Sequence, residues 1–498
     1  MSPSATRAGA ARCPLPLAES AHVHLDGGMD SSRGPASARP VASARAAAPA
    51  RPPAAAGLAV APRRRSVLAA AAALPLAGAG LSGCGALEGI VGDDMEPDLV
   101  AELPRRRPGE VGGLGRRVVP FTAHLLAGIG RGDVNAVCSP LSAQTVLTMA
   151  ALGAAGDTLA QMEEVLGGTV DELATTANTL SAVLAAVGDA AREEDDPEGP
   201  EPAVASLVSS TWLQEGMAVE QGFLDGLAEW FGSGVFEVDF TDEAAREKGR
   251  ERINDWVAEQ TNDLIEDLVP EQALSDRTRA VLVNALHLKA AWPSPLERRG
   301  GTFTTDEGEE LSVELLHGSS SAWFEDSVCR ATALEAAGGE LALALIQPAG
   351  SIGETMDAWA EVAGTPAAGL GGLLDGLEDS SEQVDLAVPP FDIAWDSSLV
   401  AVLQGLGMTD VFSEAADLSG ITAEEDLTIT EILQKAVITV DEEGMEAAAA
   451  TAAIAGTTAA PAERKELVLD RPFLFVAYER TTRAPLVAGW VGDPRQTR

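Results

Sequence analysis

The chain has 498 residues, 46% hydrophobic and 22% charged, which suits one large soluble domain or two to three ordinary ones. With 34 Lys and Arg against 76 Asp and Glu the net charge is -42, a field that repels phosphate backbones and disfavours nucleic-acid binding. Four cysteines exclude a disulfide-built scaffold, and five histidines leave little for His-dependent catalysis or zinc.

Residues 1–60, rich in Ala, Pro, Arg and Ser, have no sustained apolar period and cannot bury enough surface to offset their ordering entropy. Arg63-Arg64-Arg65-Ser66-Val67-Leu68 then opens an apolar run to Ala79, and Leu81-Ser82-Gly83-Cys84 follows. The arginines resemble a twin-arginine export signal. Leu81-Ser82-Gly83-Cys84 resembles the prokaryotic lipobox, whose cysteine is lipidated and becomes the mature N-terminus; the competing reading is an Ala-rich linker. We expect residues 1–84 to be a signal and pre-region, Val60 being the initiator if the start is set too early. Cys84 is then the lipidation site, and the protein lies on the extracellular side of the membrane, lipid-anchored or secreted. Nine basic and three acidic residues precede Cys84, which leaves 25 against 73 and a net charge of -48. That much acid fits a halophile or a high-GC secreting bacterium. Residues 85–117, with Gly, Pro, Arg105-Arg106-Arg107 and mixed charge, read as a flexible tether.

The folded domain is expected over 118–494. Val118, Phe121, Leu125 and Ile129 have helical spacing, and 143–153, 159–166 and 173–187 repeat the pattern. Residues 193–201 form an acidic loop, and 204–208 with Trp212-Leu213 read as strand. A long charged helix is predicted over 244–268, with Ile253, Trp256, Val257 and Ile265 as its apolar positions. Strands follow at 280–289, 341–347, 384–388, 436–440 and 473–478. Helices first and strands later argue for an α+β fold.

Several motifs now carry a resemblance to one family. Asn135-Ala136-Val137-Cys138-Ser139-Pro140-Leu141-Ser142 resembles the start of a serpin's second helix, and Leu152-Gly153-Ala154-Ala155-Gly156-Asp157-Thr158 continues it. Asn284-Ala285-Leu286-His287-Leu288-Lys289 with Trp292 is similar to a family strand, although Leu288 departs from the usual Phe. Val388-Pro389-Pro390-Phe391, Ala416-Asp417-Leu418-Ser419-Gly420-Ile421 and Leu469-Asp470-Arg471-Pro472-Phe473 follow in family order. Val440-Asp441-Glu442-Glu443-Gly444-Met445-Glu446-Ala447-Ala448-Ala449-Ala450-Thr451 resembles the hinge of the reactive loop. The resemblance implies the serpin fold: three β-sheets, about eight to nine helices and an exposed reactive-centre loop.

Apart from the family, 442–461 is a long segment of mostly small residues between two strands, either functional or disordered. As a strand of period two, one face holds Met445, Ala447, Ala449, Thr451, Ala453 and Ala455, with no charge. That face suits entry into a sheet, while Glu446 stays in solvent. The resemblance says what for: a protease cuts the loop, and the cleaved loop inserts as a new strand and traps the enzyme. Loop insertion of this kind is a known switching device. The resemblance thus implies hinge roles for Glu442, Gly444, Met445, Glu446, Ala447, Ala449 and Thr451; Met445 stands where Thr is usual. Counted from Glu442 at the family's usual loop length, the scissile bond is Thr458–Ala459, with the bonds on either side as close rivals. No Lys or Arg lies between Lys435 and Arg464, so the small loop suits elastase-like or subtilisin-like pockets. The family's shutter, a polar cluster under the sheet, aligns with Asn135, Ser139, Ser142, Asn284 and Gln434, the last in place of the usual His; helix capping is the plainer reading of the serines. Trp292 aligns with the breach tryptophan, or is plain core.

The expected function is therefore inhibition of a serine endopeptidase as a suicide substrate, not catalysis. The alternative is a non-inhibitory serpin acting as a binding or structural protein, for which Met445 speaks. No HExxH, CxxC or Gly-x-Ser-x-Gly is present, and no cofactor or metal is expected. The expected partner is a serine protease; a heparin-type polyanion is not expected, since 173–193 holds Arg192 as its one cation. Membrane contact is expected through the anchor only, and the protein as a monomer. Cys138 and Cys329 read as buried free thiols, with pairing left open.

Overall fold

Helix formation dominates the front of the folded chain. A computed structural model describes residues 95–130, 133–194, 199–263, 265–424, 426–430, 432–445 and 464–497, all within the unit Cys84–Arg498. In chain order come α1 (Val118–Gly128), β1 (Asn135–Cys138), α2 (Pro140–Ala151), α3 (Gly156–Leu166), α4 (Val170–Ala185) and α5 (Asp189–Glu194). Next are β2 (Val204–Gln214), α6 (Gln221–Gly226), a π-helical turn (Leu227–Phe231), β3 (Val235–Val238), α7 (Glu243–Gln260) and β4 (Ala280–Ala291). Then follow β5 (Glu297–Thr304), β6 (Glu310–Ser320), β7 (Phe324–Glu325), β8 (Cys329–Glu335), β9 (Leu341–Pro348), α8 (Ile352–Glu361) and α9 (Gly369–Asp379). The chain closes with β10 (Val384–Val388), β11 (Phe391–Ser398), α10 (Val400–Leu406), β12 (Leu433–Val440), β13 (Gly444–Met445), β14 (Lys465–Val468), β15 (Phe473–Glu479) and β16 (Ala484–Val491).

Local chemistry explains where these elements start. Pro140 opens α2 at the first turn, where its missing N–H costs nothing. Thr169 and Glu172 cap α4 reciprocally, and Ser351 with Glu354 does the same for α8. The strands form three sheets, ordered β1-β16-β15-β9-β8-β7, β14-β10-β6-β5 and β11-β12-β13-β4-β2-β3, the α+β architecture that the order of helices and strands predicts. Every residue of β15 and β16 is buried, which explains their near-continuous apolar runs. α2, buried along its whole length, packs against β4 and β16 and so lies beneath the third sheet. α7 covers that sheet's other side, with Ile253, Trp256 and Val257 in one cluster with Val283, Ala285 and Val437.

Two expectations need correction, on the end of a helix and on the tether, and the cysteine pairing left open is decided. The helix predicted over 244–268 ends at Gln260, because Asn262 and Asp263 turn left-handed at φ 51 and 63. Asn254 then holds the returning chain: its Oδ1 accepts from Leu268 and Val269 N at 3.1 and 2.8 Å, and its Nδ2 donates to Val269 O at 3.0 Å. Cys138 and Cys329 are free. They lie on β1 and β8, separated by β16, β15 and β9, so about 19 Å of sheet parts them where a disulfide needs under about 7 Å between Cα atoms. Burial pushes both thiols up. Finally, residues 95–117, read as tether from composition, lie against the domain: Leu99 bridges to Val235, and Leu114–Arg117 is a 3-10 turn leading into α1.

Candidate functional site

The third sheet holds a seam. β13 is antiparallel to β12 through Val440–Met445, and antiparallel to β4 through Gly444–Ala291 and Met445–Ala290. β12 and β4 are therefore parallel to each other, with a two-residue strand wedged between them at one end. Among the described residues no ladder joins β4 to β12 beyond it. A cleft with about 550 Å³ of empty space lies there, lined by Leu282, Asn284 and Leu286 of β4, Gln434, Ala436 and Val437 of β12, and Ser139, Ser142 and Val146 below. A second, of about 320 Å³, adjoins it at Leu286, Val437 and Val487 and reaches Met445.

The wedge is tightly rooted. Asp441 Oδ1 accepts from the Glu443 and Gly444 amides at 2.8 and 3.0 Å, which folds 441–444 into a turn. Trp292, 3% exposed, donates from Nε1 to Asp441 O at 3.0 Å, and its backbone N donates to Glu443 O at 2.8 Å. Gly444 has a steric reason to be glycine: a Cβ there would stand 2.4 Å from Ala290 O and 3.0 Å from Ala291 Cα. Met445 is buried and faces Leu286, Leu288 and Val487. Glu442 leaves the turn to pair with Arg298 on β5, which also pairs with Glu314 on β6. Its hydrogen bond from Arg298 holds the Glu442 carboxyl below the usual range, and the two acids keep Arg298 charged.

Under the seam, Gln434 and Ser139 form a reciprocal pair. Gln434 Nε2 donates to Ser139 O at 2.8 Å, and Ser139 N donates to Gln434 Oε1 at 3.2 Å. Ser139 Oγ lies 2.9 Å from both Ser142 Oγ and Leu486 O, tying the pair to β16. Neither serine caps α2 in the usual way: no backbone N–H of the helix donates to the side chain of Ser139 at the cap position. Asn284 lines the same cleft but donates to Ser209 Oγ on β2 at 2.7 Å, and its buried Oδ1 has no hydrogen-bond partner among the described residues. Asn135 is not brought here. Its Nδ2 donates to Asp493 O and Gln496 O, and its Oδ1 accepts from Gly492 and Asp493 N, so it pins the turn after β16. Its place at the start of β1, opposite Val491, sets that role.

Of the hinge residues, Glu442, Gly444 and Met445 are thus seen in place. Glu446, Ala447, Ala449 and Thr451, the reactive bond Thr458–Ala459 and the lipidation residue Cys84 lie outside the described residues. Arg298 and Ser209 belong to the site and carry no sequence signal of their own, and Asp441, although inside the hinge motif, is given no role by it; the Arg298–Glu442 pair spans 144 residues. The one cation at 173–193, Arg192, bonds Asp189 Oδ1 at 2.7 Å and Val187 O at 3.1 Å.

Three sheets in this order, helices gathered at the front of the chain and a two-residue strand wedged into a seam that no ladder closes among the described residues define a serpin-type domain. A family model described as serpin (serine protease inhibitor) matches residues 119–494. An uncharacterized serpin-like protein of Thermococcus kodakarensis is 33% identical over 386 residues, covering 75% of this chain and 84% of its own. A serine protease inhibitor of Cyanea capillata is 29% identical over 369 residues, covering 73% and 93%. Among solved structures, the thermophilic serpin tengpin in its native state superposes with a TM-score of 0.65 at 24% identity, over 78% of this chain and 97% of that one. The chain belongs to the serpin family, whose members are generally serine protease inhibitors and mostly not catalysts.

Proposed function

We propose that this serpin inhibits a serine endopeptidase as a suicide substrate. The protease serine attacks the Thr458 carbonyl, the bond to Ala459 breaks, and the acyl-enzyme forms. The new end at Thr458 then enters the seam between β12 and β4, and the enzyme is carried with it. The observation that carries this reading is the seam itself, open beyond a wedge that already occupies its first two positions.

Register supports it further. Continued at the spacing of Met445–Ala290, a strand has Ala447, Ala449 and Thr451 opposite Leu288, Leu286 and Asn284. Continued from Val440–Met445, the same three stand opposite Ile438, Ala436 and Gln434. With Met445 facing the core, the odd positions face it too, and 447, 449, 451, 453 and 455 are all uncharged and small. Thr451, the polar one, comes between Asn284, with its unpartnered oxygen, and Gln434. Met445, which the sequence alone weighs for a non-inhibitory protein, is already seated in the sheet.

Small residues around Thr458 favour an elastase-like or subtilisin-like target, acting on a monomer. The arginines at 63–65 and Leu81-Ser82-Gly83-Cys84 support export and a lipid anchor at Cys84. Incubation with a panel of serine proteases tests the inhibition, read as a covalent complex on a denaturing gel. A Cys84→Ser variant tests the anchor: loss of membrane association is expected, and unaltered processing and association would refute it.

A further inference from the structure

The sequence 95–109 sits in a seat shaped for it along the open edge of the third sheet. Leu99 N donates to Val235 O at 2.9 Å, and Val235 N donates to Leu99 O at 2.8 Å. Asp98 Oδ2 accepts from Glu237 N at 2.8 Å and lies 3.7 Å from Arg252 of α7. The β3 amides of Val235 and Glu237 are therefore both taken by this segment, on the edge away from β2. Further on, Arg105 Nε donates to Asn178 Oδ1 at 2.8 Å, and Asn178 Nδ2 returns a bond to Arg106 O at 3.0 Å. Arg106 N donates to Glu229 O, its guanidinium pairs with the Glu229 carboxylate at 2.6 Å, and it lies 4.1 Å over the Trp230 ring. Gly109 N donates to Thr179 Oγ1 at 2.8 Å.

The seat is built from the domain's side as well. A Cβ on Gly234 would meet Leu99 O at 2.5 Å, Val100 Cγ1 at 2.6 Å and Pro97 Cβ at 2.9 Å. No φ in the left-handed region explains this glycine, so the space is kept for the segment. At the far end Gly115 presses on another sheet: its missing Cβ would lie 2.5 Å from Thr482 O and 2.3 Å from Ala484 N, where β15 turns into β16.

We propose that residues 97–109 are a resident peptide ligand of the β3 edge, and that this strap clamps the third sheet against opening. Admitting a strand between β12 and β4 moves the block β4-β2-β3 relative to β12-β11 by about 4.8 Å, one strand spacing. The strap grips β3 in that block, and the chain that continues from it is wedged at Gly115 against the β15–β16 turn, so opening stretches the strap or peels it off. The clamping role rests on the proposed insertion into the seam; the seat does not.

The test uses the full chain with two variants, Gly234→Ala, which intrudes on the strap backbone, and Arg106→Ala, which removes the half-exposed side chain that pairs with Glu229 and lies over Trp230. Hydrogen exchange reads the Val235 and Glu237 amides. Uptake of a synthetic peptide copying residues 446–458, followed by native gel, reads sheet opening. In both variants exchange at Val235 and Glu237 should rise at least about tenfold, the size expected from losing one or two net hydrogen bonds, with β15 and β16 unchanged, and peptide uptake should quicken several-fold. Unchanged exchange at both amides in both variants would overturn the seat. Faster exchange with uptake equal to wild type would overturn the clamp alone. No uptake by any of the three proteins would overturn the seam reading and the clamp with it, leaving exchange to decide the seat.

Discussion

Placing one arginine on the inward face of the loop gives a graded test of insertion. In the register carried from Met445, position 447 meets Leu288 and Ile438, which are 8% and 5% exposed and offer no side-chain acceptor. Ala447→Arg therefore buries a guanidinium without a partner, at an effective cost of several kcal/mol after relaxation. Taken as about 4 kcal/mol, this slows strand entry by about a thousandfold, long enough for the acyl-enzyme to hydrolyse first. Ala449→Arg should be milder, because position 449 is one pair, about 7 Å along the strand, from Asn284 Oδ1, which lacks a partner. Glu446→Arg carries the same charge on the outward face and should form complex like wild type. The assay is the ratio of covalent complex to cleaved inhibitor on a denaturing gel, with one small-residue-specific protease throughout. The expected order of complex is Glu446→Arg, then Ala449→Arg, then Ala447→Arg, with all three cut at the same bond. Equal complex from Ala447→Arg and Glu446→Arg would refute the register.

Gln434→Glu keeps the acceptor for Ser139 N and faces Ser139 O with an oxygen instead of a donor. Burial raises that carboxyl in the folded state, so stability should be intact below its unfolded pKa of about 4.3 and lost as pH rises through the raised value; denaturation midpoints that follow wild type from pH 4 to 8 would contradict this. Tyr478, the single tyrosine, is fully buried and donates to Glu378 Oε1 at 2.7 Å, while Arg480 pairs with the same carboxylate. Burial, then the Glu378 charge, push its hydroxyl well above 10. Tyr478 should therefore contribute stability below pH 10 that is lost as pH rises through its folded value; absorbance at 295 nm should show no tyrosinate until the chain unfolds, and a reversible titration near 10 in folded protein would contradict the packing. Gly444→Val should expel β13, costing about 3–5 kcal/mol from Met445 burial and the lost ladder bonds, readable by urea unfolding; a change under about 0.5 kcal/mol would show that the close approach to Ala290 is not limiting.

Much of this fold is legible because its signals are local. The runs that become β9 and β15 are near-continuous and apolar, and every residue of both is buried. β5 was not legible: Glu297-Arg298-Arg299-Gly300-Gly301 is polar and glycine-rich, and only pairing with β6 makes it a strand. α9 holds four glycines and is held by Leu370, Leu373, Leu374 and Leu377 against the core. The end of α7 depends on what Asn254 finds across a loop. The strap reads as tether because its partners, Asn178, Glu229 and Val235, are distant in sequence and composition carries no trace of them. At the site, Gly444, Met445, Trp292 and the Ser139–Gln434 pair come together where the motifs point. Asn135 goes elsewhere because the turn after β16 offers it four backbone groups. Arg298 was missed because an ion pair between strands has no spacing to read.

The central claim is that the cut loop becomes a strand between β12 and β4. Its most direct test is to incubate the protein with elastase-like and subtilisin-like proteases, measure the covalent complex, sequence the released C-terminal fragment and melt the cleaved form. The account predicts a complex stable to denaturing gel, a fragment beginning at Ala459, and a cleaved form that melts far above the intact one because its sheet has gained a strand. Cleavage by these proteases with no complex and no rise in Tm would contradict it.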